Sequence, residues 1–376
     1  MSPPTVRAMG LAALVLAALA LPLGVTLPYF QHLVILALIW VVLSQGQNLI
    51  QGFTGYVSIA QAGFMGIGAY SSTLLSVKLG WPVWLTMAAA PGVTAALAVL
   101  AGYPSLRVKG HYFAIVTLAY NMVIFIVLMT WSSLTGGEAG ISNVPRPPDI
   151  AIGGLVWDLD SRVGYYYLAL AAAALATLLC ALILHSRVGR VLVAIRQNEA
   201  LIEAAGVQSW RYKLLAFVVS AGLAGLAGAL YAHFIGFLNP DAFGVDHSLN
   251  AILAVILGGS GTLSGPVVGA FAVVFLPEYL RVAENYRLVI YGFILVTATI
   301  FMPRGLVPLV ASGLRALAAR LGTVVLTLAI GVLDATTART INRNVEDRIR
   351  YAAGADVTLK EDWPSNKPPP SVVVAV

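Results

Sequence analysis

The chain has 376 residues, 59% of them hydrophobic and only 10% charged, with a mean hydropathy of +0.87 and a formal net charge of +6. A soluble domain carries roughly 25% charged residues, so a water-soluble enzyme or nucleic-acid-binding module of this size is excluded. The apolar residues arrive in runs near the roughly 20 needed to cross a bilayer, and most basic residues punctuate those runs as orientation signals do. The expected class is an all-α polytopic membrane protein.

In chain order, Arg7 precedes an apolar run over 9–27 that is interrupted by Pro22. The run is longer than the apolar core of a cleaved signal peptide, and we read it as a retained first span. Apolar runs bounded by Gly, Pro and charge predict spans at about 9–30, 32–50, 58–77, 83–103, 111–131, 165–185, 213–235, 247–260, 264–281 and 286–302. That makes about ten transmembrane helices. The third and eighth are weak enough to be re-entrant or broken.

Alternating these spans from a cytoplasmic N-terminus puts Arg7, Arg107, Lys109, Arg187, Arg190, Arg196, Arg211, Lys213, Arg304, Arg315 and Arg320 on one side. The other side receives Lys78, Arg146, Arg162 and Arg281, with Arg287 at a span edge. This asymmetry fits the positive-inside rule. Residues 132–164 fall outside and are rich in Gly and Pro, which rules out a span there. Residues 186–212 fall inside. From Val188 to Ala205 they predict one amphipathic helix with Ile195, Ile202 and Ala205 on its less polar side and Arg196, Glu199 and Glu203 on its polar side. Gly206 is placed to end it.

Each half of the chain carries a glycine-rich interruption: Gly52, Gly55, Gly63, Gly66 and Gly68 in the first, Gly258, Gly259, Gly261, Gly265 and Gly269 in the second. Corresponding breaks point to a transport path, because non-helical backbone survives at membrane depth only where protein or a cavity covers it. Close helix packing through small residues is the competing explanation. Around the first break lie Gln45, Gln47, Asn48, Gln51, Ser58 and Gln61, with Thr117 and Asn121 in the fifth span. Such groups can hydrogen-bond a passing zwitterion or simply bond across helices. We single out Gln47, Asn48, Ser58, Gln61, Gly63, Gly66, Thr117 and Asn121 as candidate substrate-path residues.

The sequence contains no HExxH, no paired Cys/His metal-ligand spacing and no P-loop GxxxxGK[ST]. The expectations are therefore no catalytic residue, no metal and no cofactor bound by this chain. Cys180, the single cysteine, reads as a small packing residue. Within the first seven spans His233 is nearly alone among ionisable groups, which weighs against an ion-coupled carrier acting alone. The 188–206 helix, followed by Trp210, Arg211, Tyr212 and Lys213, has the shape of a segment that docks on a soluble motor subunit. The alternative is a helix lying on anionic lipid.

Five ordered stretches carry a resemblance: GYVSIAQAGFMGIGAY at 55–70, RVKGHYFAIVTLAY at 107–120, AIRQNEALIEAAGVQSWRYKLLAFVVSAGLAGLAGALYA at 194–232, ILGGSGTLSGPVVGAF at 256–271 and YGFILVTATIFMPRGL at 291–306. The chain resembles branched-chain amino acid ABC transporter permeases over about residues 10–306. The GHYFAIVTLAY element looks like the LivM-type subunit rather than its LivH-type partner. The resemblance implies a permease core shared with a LivH-type subunit, two cytoplasmic ATPase subunits that carry ATP and Mg, and an extracytoplasmic substrate-binding protein. It places the chain in the bacterial cytoplasmic (inner) membrane. It also implies that Glu203, Ala204, Ala205 and Gly206 match the motif that contacts the ATPase, with Arg196 and Glu199 on the same helix as further coupling residues.

After residue 306 the resemblance stops. An eleventh apolar run lies near 321–338, and 321–363 resembles the opening of an FtsX/MacB-type permease. The expected organisation is a permease domain over 1–306 and a tail over 307–376 with one span and a polar extracytoplasmic end. The function expected is import of a branched-chain amino acid or a related small polar metabolite. The alternatives are an ion-coupled secondary transporter and an FtsX/MacB-like subunit from a fused gene.

Overall fold

A computed structural model describes residues 18–22, 27–108, 110–152 and 155–280, with single positions or short stretches between 286 and 309. Most of the expected first span, most of the tenth, the 321–338 run and nearly all of the tail lie outside the described residues. The chain divides into two units, Met1–Ala311 and Ser312–Val376, and the described helices belong to the first.

The first described long helix, α1 (Pro28–Thr54), starts with a proline at its first position and ends at Gly55, whose φ of 79° is the left-handed cap that glycine adopts without strain. It runs further at both ends than the apolar run predicts, because Pro28 is preorganised to open a helix and Gly52 is tolerated inside one. At 27 residues it is about 40 Å long, and 89% of its most apolar window is buried within the protein. It is therefore the hub rather than a lipid-facing span.

Four more helices follow: α2 (Gln61–Val77), α3 (Val83–Ser105), α4 (His111–Thr130) and α5 (Arg162–His185). Two short helices, α6 (Arg187–Gln197) and α7 (Glu199–Ala204), lead to α8 (Ser209–Ile235), and α9 (Val245–Gly258) and α10 (Gly265–Tyr279) complete the described bundle. Five of these (α1, α3, α4, α5 and α8) are long and apolar enough to cross a membrane. The expected weak third and eighth spans are α2, with 17 residues, and α9, with 14; α9 reaches only about 21 Å.

The core is built on α8, whose sequence SAGLAGLAGALYA presents a stripe of small residues. A Cβ at Gly228 would overlap the Met65 carbonyl of α2, and one at Gly225 would overlap Thr94 of α3. Close backbone approach is how small residues hold membrane helices together when burial from water supplies no drive. By contrast only 22% of the apolar window of α4 and of α5 is buried, leaving Leu175, Leu178, Leu182, Val123 and Ile126 exposed as a membrane face requires.

Loops sort to two ends as the alternation predicts. At one end β1 (Ile141–Ser142) pairs antiparallel with β4 (Phe237–Leu238), and Lys78 Nζ donates to the carbonyls of Ser133 and Leu134 at 2.9 Å each. The turn-rich segment here also holds the hairpin of β2 (Ile150–Ile152) and β3 (Leu155–Trp157). His233, fully buried in α8, bonds from Nδ1 to the Pro145 carbonyl at 2.6 Å and pairs through Nε2 with Ser72 Oγ at 2.8 Å. The opposite end gathers the breaks at 55–60 and 259–264 with α6 and α7.

Candidate functional site

The one amphipathic helix expected over 188–205 is two. Asn198 interrupts it with extended backbone (φ −161°, ψ 100°) and caps α7 by accepting from the Leu201 N–H at 3.1 Å. Asparagine competes for backbone hydrogen bonds in this way and so favours a cap over a helix interior. The expected faces hold only in part: Ile195 is buried and Ile202 half-buried, but Ala205, expected beside them, is exposed with Glu203, Ala204 and Gly206 at the tip, and Glu199, expected on the polar side, turns inward; Gly206 (φ 84°) ends the segment as expected. Leu201 stands 66% exposed beside them, an apolar group with no burial partner to explain it.

Glu199 and Glu203 are four residues apart on α7. Like charges at that spacing repel, and the structure supplies a cation: Lys213 of α8 lies with Nζ 2.6 Å from Glu199 Oε1. The lysine side chain is 1% exposed and the carboxylate 14%. Tyr56, in the first break, donates its hydroxyl to Glu199 Oε2, sits 3.2 Å from Lys213 Nζ, and offers its ring face to the ammonium at 4.5 Å. Ser209 Oγ lies 2.8 Å from Glu199 and 2.6 Å from Glu203, and its single proton can serve only one carboxylate at a time.

Burial alone would push the Glu199 carboxyl up, but the hydrogen bonds from Lys213, Tyr56 and Ser209 and the lysine charge outweigh it and hold the group below the ordinary carboxylate range. Burial and the neighbouring Glu199 push the Tyr56 phenol far up, so it stays a donor.

Three residues earlier, the Arg196 guanidinium donates to the Gly52 carbonyl in the last turn of α1. A cation on those orphan carbonyls is favourable both as a hydrogen bond and against the helix dipole. Asn48, one turn back on α1, accepts from the Gly261 N–H at 3.0 Å and donates to the Thr262 carbonyl at 2.9 Å. A Cβ at Gly52 would sit 2.6 Å from Gly261 N. The two glycine-rich breaks, far apart in sequence, therefore meet here. The true non-helical stretches are 55–60 and 259–264; Gly52, Gly63, Gly66, Gly68, Gly258, Gly265 and Gly269 lie within helices and serve close approach.

The candidate path residues are all placed inside the bundle, and most join neighbouring elements. Gln47 Nε2 donates to the Ser58 carbonyl at 3.0 Å, and Gln61 Nε2 to those of Leu43 and Ser220 at 3.3 Å each. Ser58 Oγ lies 3.4 Å from the Ala60 N–H. Thr117 accepts from the Ile59 N–H at 3.0 Å, and Asn121 Oδ1 from the Gly63 N–H at 2.6 Å. Gly66 faces Leu128 and Phe243. Seven buried side-chain polar atoms among the described residues lack a hydrogen-bond partner, and two of them, Gln47 Oε1 and Asn121 Nδ2, belong to this set.

Sequence reasoning missed Tyr56 and Lys213. Lys213 reads as an orientation charge at a span edge, and Tyr56 as one letter of a motif. The signal that could have found Lys213 was the Glu199/Glu203 repulsion, which calls for a cation close by; nothing in the sequence points to Tyr56.

A bundle of apolar helices, crossed by two short breaks that meet under a charged two-helix segment, defines a multi-pass membrane protein of the permease type. The sequence model of the family described as branched-chain amino acid transport system / permease component matches residues 29–299, and the chain belongs to that family. It is 32% identical over 292 residues to the high-affinity branched-chain amino acid transport system permease protein LivM of Escherichia coli K12, covering 73% of this chain and 69% of that one. Its similarity to the LivH permease protein of the same organism is 25% over 283 residues, 69% of this chain and 88% of the relative. To the autoinducer 2 import system permease protein LsrC of Salmonella typhi it is 27% over 187 residues, covering 46% and 50%. No solved structure matches significantly.

Proposed function

We propose that this chain is the LivM-type membrane subunit of an ATP-binding cassette importer for branched-chain amino acids or a related small polar metabolite. The family match over 29–299 carries the reading. In this account it pairs with a LivH-type permease subunit in the bacterial cytoplasmic (inner) membrane. Two cytoplasmic ATPase subunits bind ATP and Mg, and an extracytoplasmic binding protein delivers substrate. The chain binds no cofactor and does no covalent chemistry.

The end holding Arg107, Arg187, Arg190, Arg196, Arg211 and Lys213 is the cytoplasmic one, and the end with Lys78, Arg146 and Arg162 is outside; the N-terminus is then cytoplasmic. The exposed tip of Leu201, Ala204, Ala205 and Gly206 is the ATPase contact, small enough to seat in a groove. Residues 307–376 lie outside the permease domain. We assign the substrate path to the region of Gln47, Asn48, Ser58, Gln61, Gly63, Gly66, Thr117 and Asn121; the two buried, unpaired polar atoms of Gln47 and Asn121 support it, since such groups are costly unless something polar reaches them.

Purification of the tagged full chain from its native membrane tests the assembly. Recovery of an ATPase and a second permease is expected, with the ATPase lost on Gly206→Trp; a chain that purifies alone would contradict it. For the path, Ser58→Cys should react with a polar thiol reagent during turnover. Inertness in every nucleotide state would make the segment packing instead.

A further inference from the structure

We propose that Lys213 and Tyr56 are positioning residues: with Glu199 they clamp the α6–α7 segment onto the 55–60 break and α8, so that its movement reaches both glycine-rich breaks at once. The inference rests on the reading of that segment as the ATPase contact.

Three chain segments meet at one carboxylate. Lys213 comes from the second turn of α8, Tyr56 from the break after α1, and Glu199 opens α7. Each touches the other two: Lys213 Nζ at 2.6 Å from Glu199 and 3.2 Å from Tyr56 Oη, and the Tyr56 hydroxyl on the second carboxylate oxygen. Lys213 is 1% exposed although its α8 end carries the exposed Trp210 and Arg211. An ion pair taken out of water is a poor source of stability, because desolvation offsets the attraction, and its best-attested use is to fix one arrangement among several. An apolar pair would have held these elements together at less cost; a charged pair with a phenol bonded to both members specifies how they sit.

The clamp has a second jaw. Arg196, three residues before Glu199 and across the break at Asn198, holds the Gly52 carbonyl, and Gly52 is in contact range of Gly261 in the other break. Asn48 fastens that break to α1 through Gly261 and Thr262. A push on the α7 tip is thus delivered at two points. Through Glu199 it reaches the break at 55–60 and the start of α8, and through Arg196 the end of α1 with the break at 259–264.

The test uses the assembled importer in proteoliposomes with its binding protein, and reads substrate moved per ATP hydrolysed. Lys213→Met and Tyr56→Phe should lower that ratio by about tenfold or more, the scale of one hydrogen bond to a charged group, with the ATPase subunits still bound. The exchange of charges in Glu199→Lys with Lys213→Glu should recover part of it. Should Lys213→Met fail to fold, Tyr56→Phe keeps the ring and removes only the hydroxyl, so the ratio can still be read. An unchanged ratio in Tyr56→Phe and in any folded Lys213 variant, whatever their melting temperature, would overturn the clamp and leave the importer reading intact. Absence of ATP-dependent uptake by the wild type would remove the importer reading and the clamp with it.

Discussion

At the scale of single residues, the chemistry is concentrated where Glu199 meets Lys213 and Tyr56. A carboxyl held below its ordinary range binds fewer protons folded than unfolded. The stability that Glu199 contributes is therefore complete above its unfolded value of 4.5 and is lost as pH falls through the lower folded value. Thermal unfolding of the purified protein in detergent should show the full, pH-independent contribution of this group between neutral pH and about pH 5, then a fall at lower pH that Glu199→Gln lacks. An identical pH profile in the variant would mean that the carboxyl is not held down. Of this cluster, Glu199 was legible in the sequence as one charge on a polar helix face. Its partners were not, since Tyr56 and Lys213 come to it from 143 and 14 residues away, and no local periodicity encodes such an approach.

At the scale of elements, the spans were legible because lipid imposes one rule: each crossing segment must be apolar and must satisfy its own backbone. The eight expected spans that fall on described residues appear as helices, most with ends shifted by a few residues. The split at Asn198 was missed because amphipathic periodicity passes through it, and the break is made by a side-chain cap. The extent of the glycine-rich interruptions was overstated, since glycine serves close packing as readily as it ends a helix. This predicts a contrast. Gly228→Leu places a side chain against the Met65 backbone, and should cost more than the roughly 1–3 kcal/mol typical of overpacking. Gly92→Leu on α3, with open space around it, should be tolerated. Size-exclusion profiles of the two variants in detergent would check this; equal recovery of both would mean that the α8 stripe does not hold the bundle.

At the scale of the whole molecule, the family and the two ends of the bundle follow from ordered motifs and from charge asymmetry, both readable in the chain. The meeting of the two breaks was not readable, because it depends on how α1, α9 and α10 pack and is fixed by the long-range bonds of Asn48 and Arg196. The family match ends at residue 299, so truncation after Arg320 should leave assembly and uptake intact; loss of uptake in a truncated chain that still assembles would make the tail part of the transporter. The central claim is that this chain moves substrate only as part of an ATP-driven assembly. The most direct test is uptake of labelled leucine, isoleucine and valine into proteoliposomes holding the chain alone or with its LivH-type partner, the ATPases and the binding protein. The account predicts uptake that needs every component and ATP, and contradiction would come from gradient-driven uptake by the chain alone.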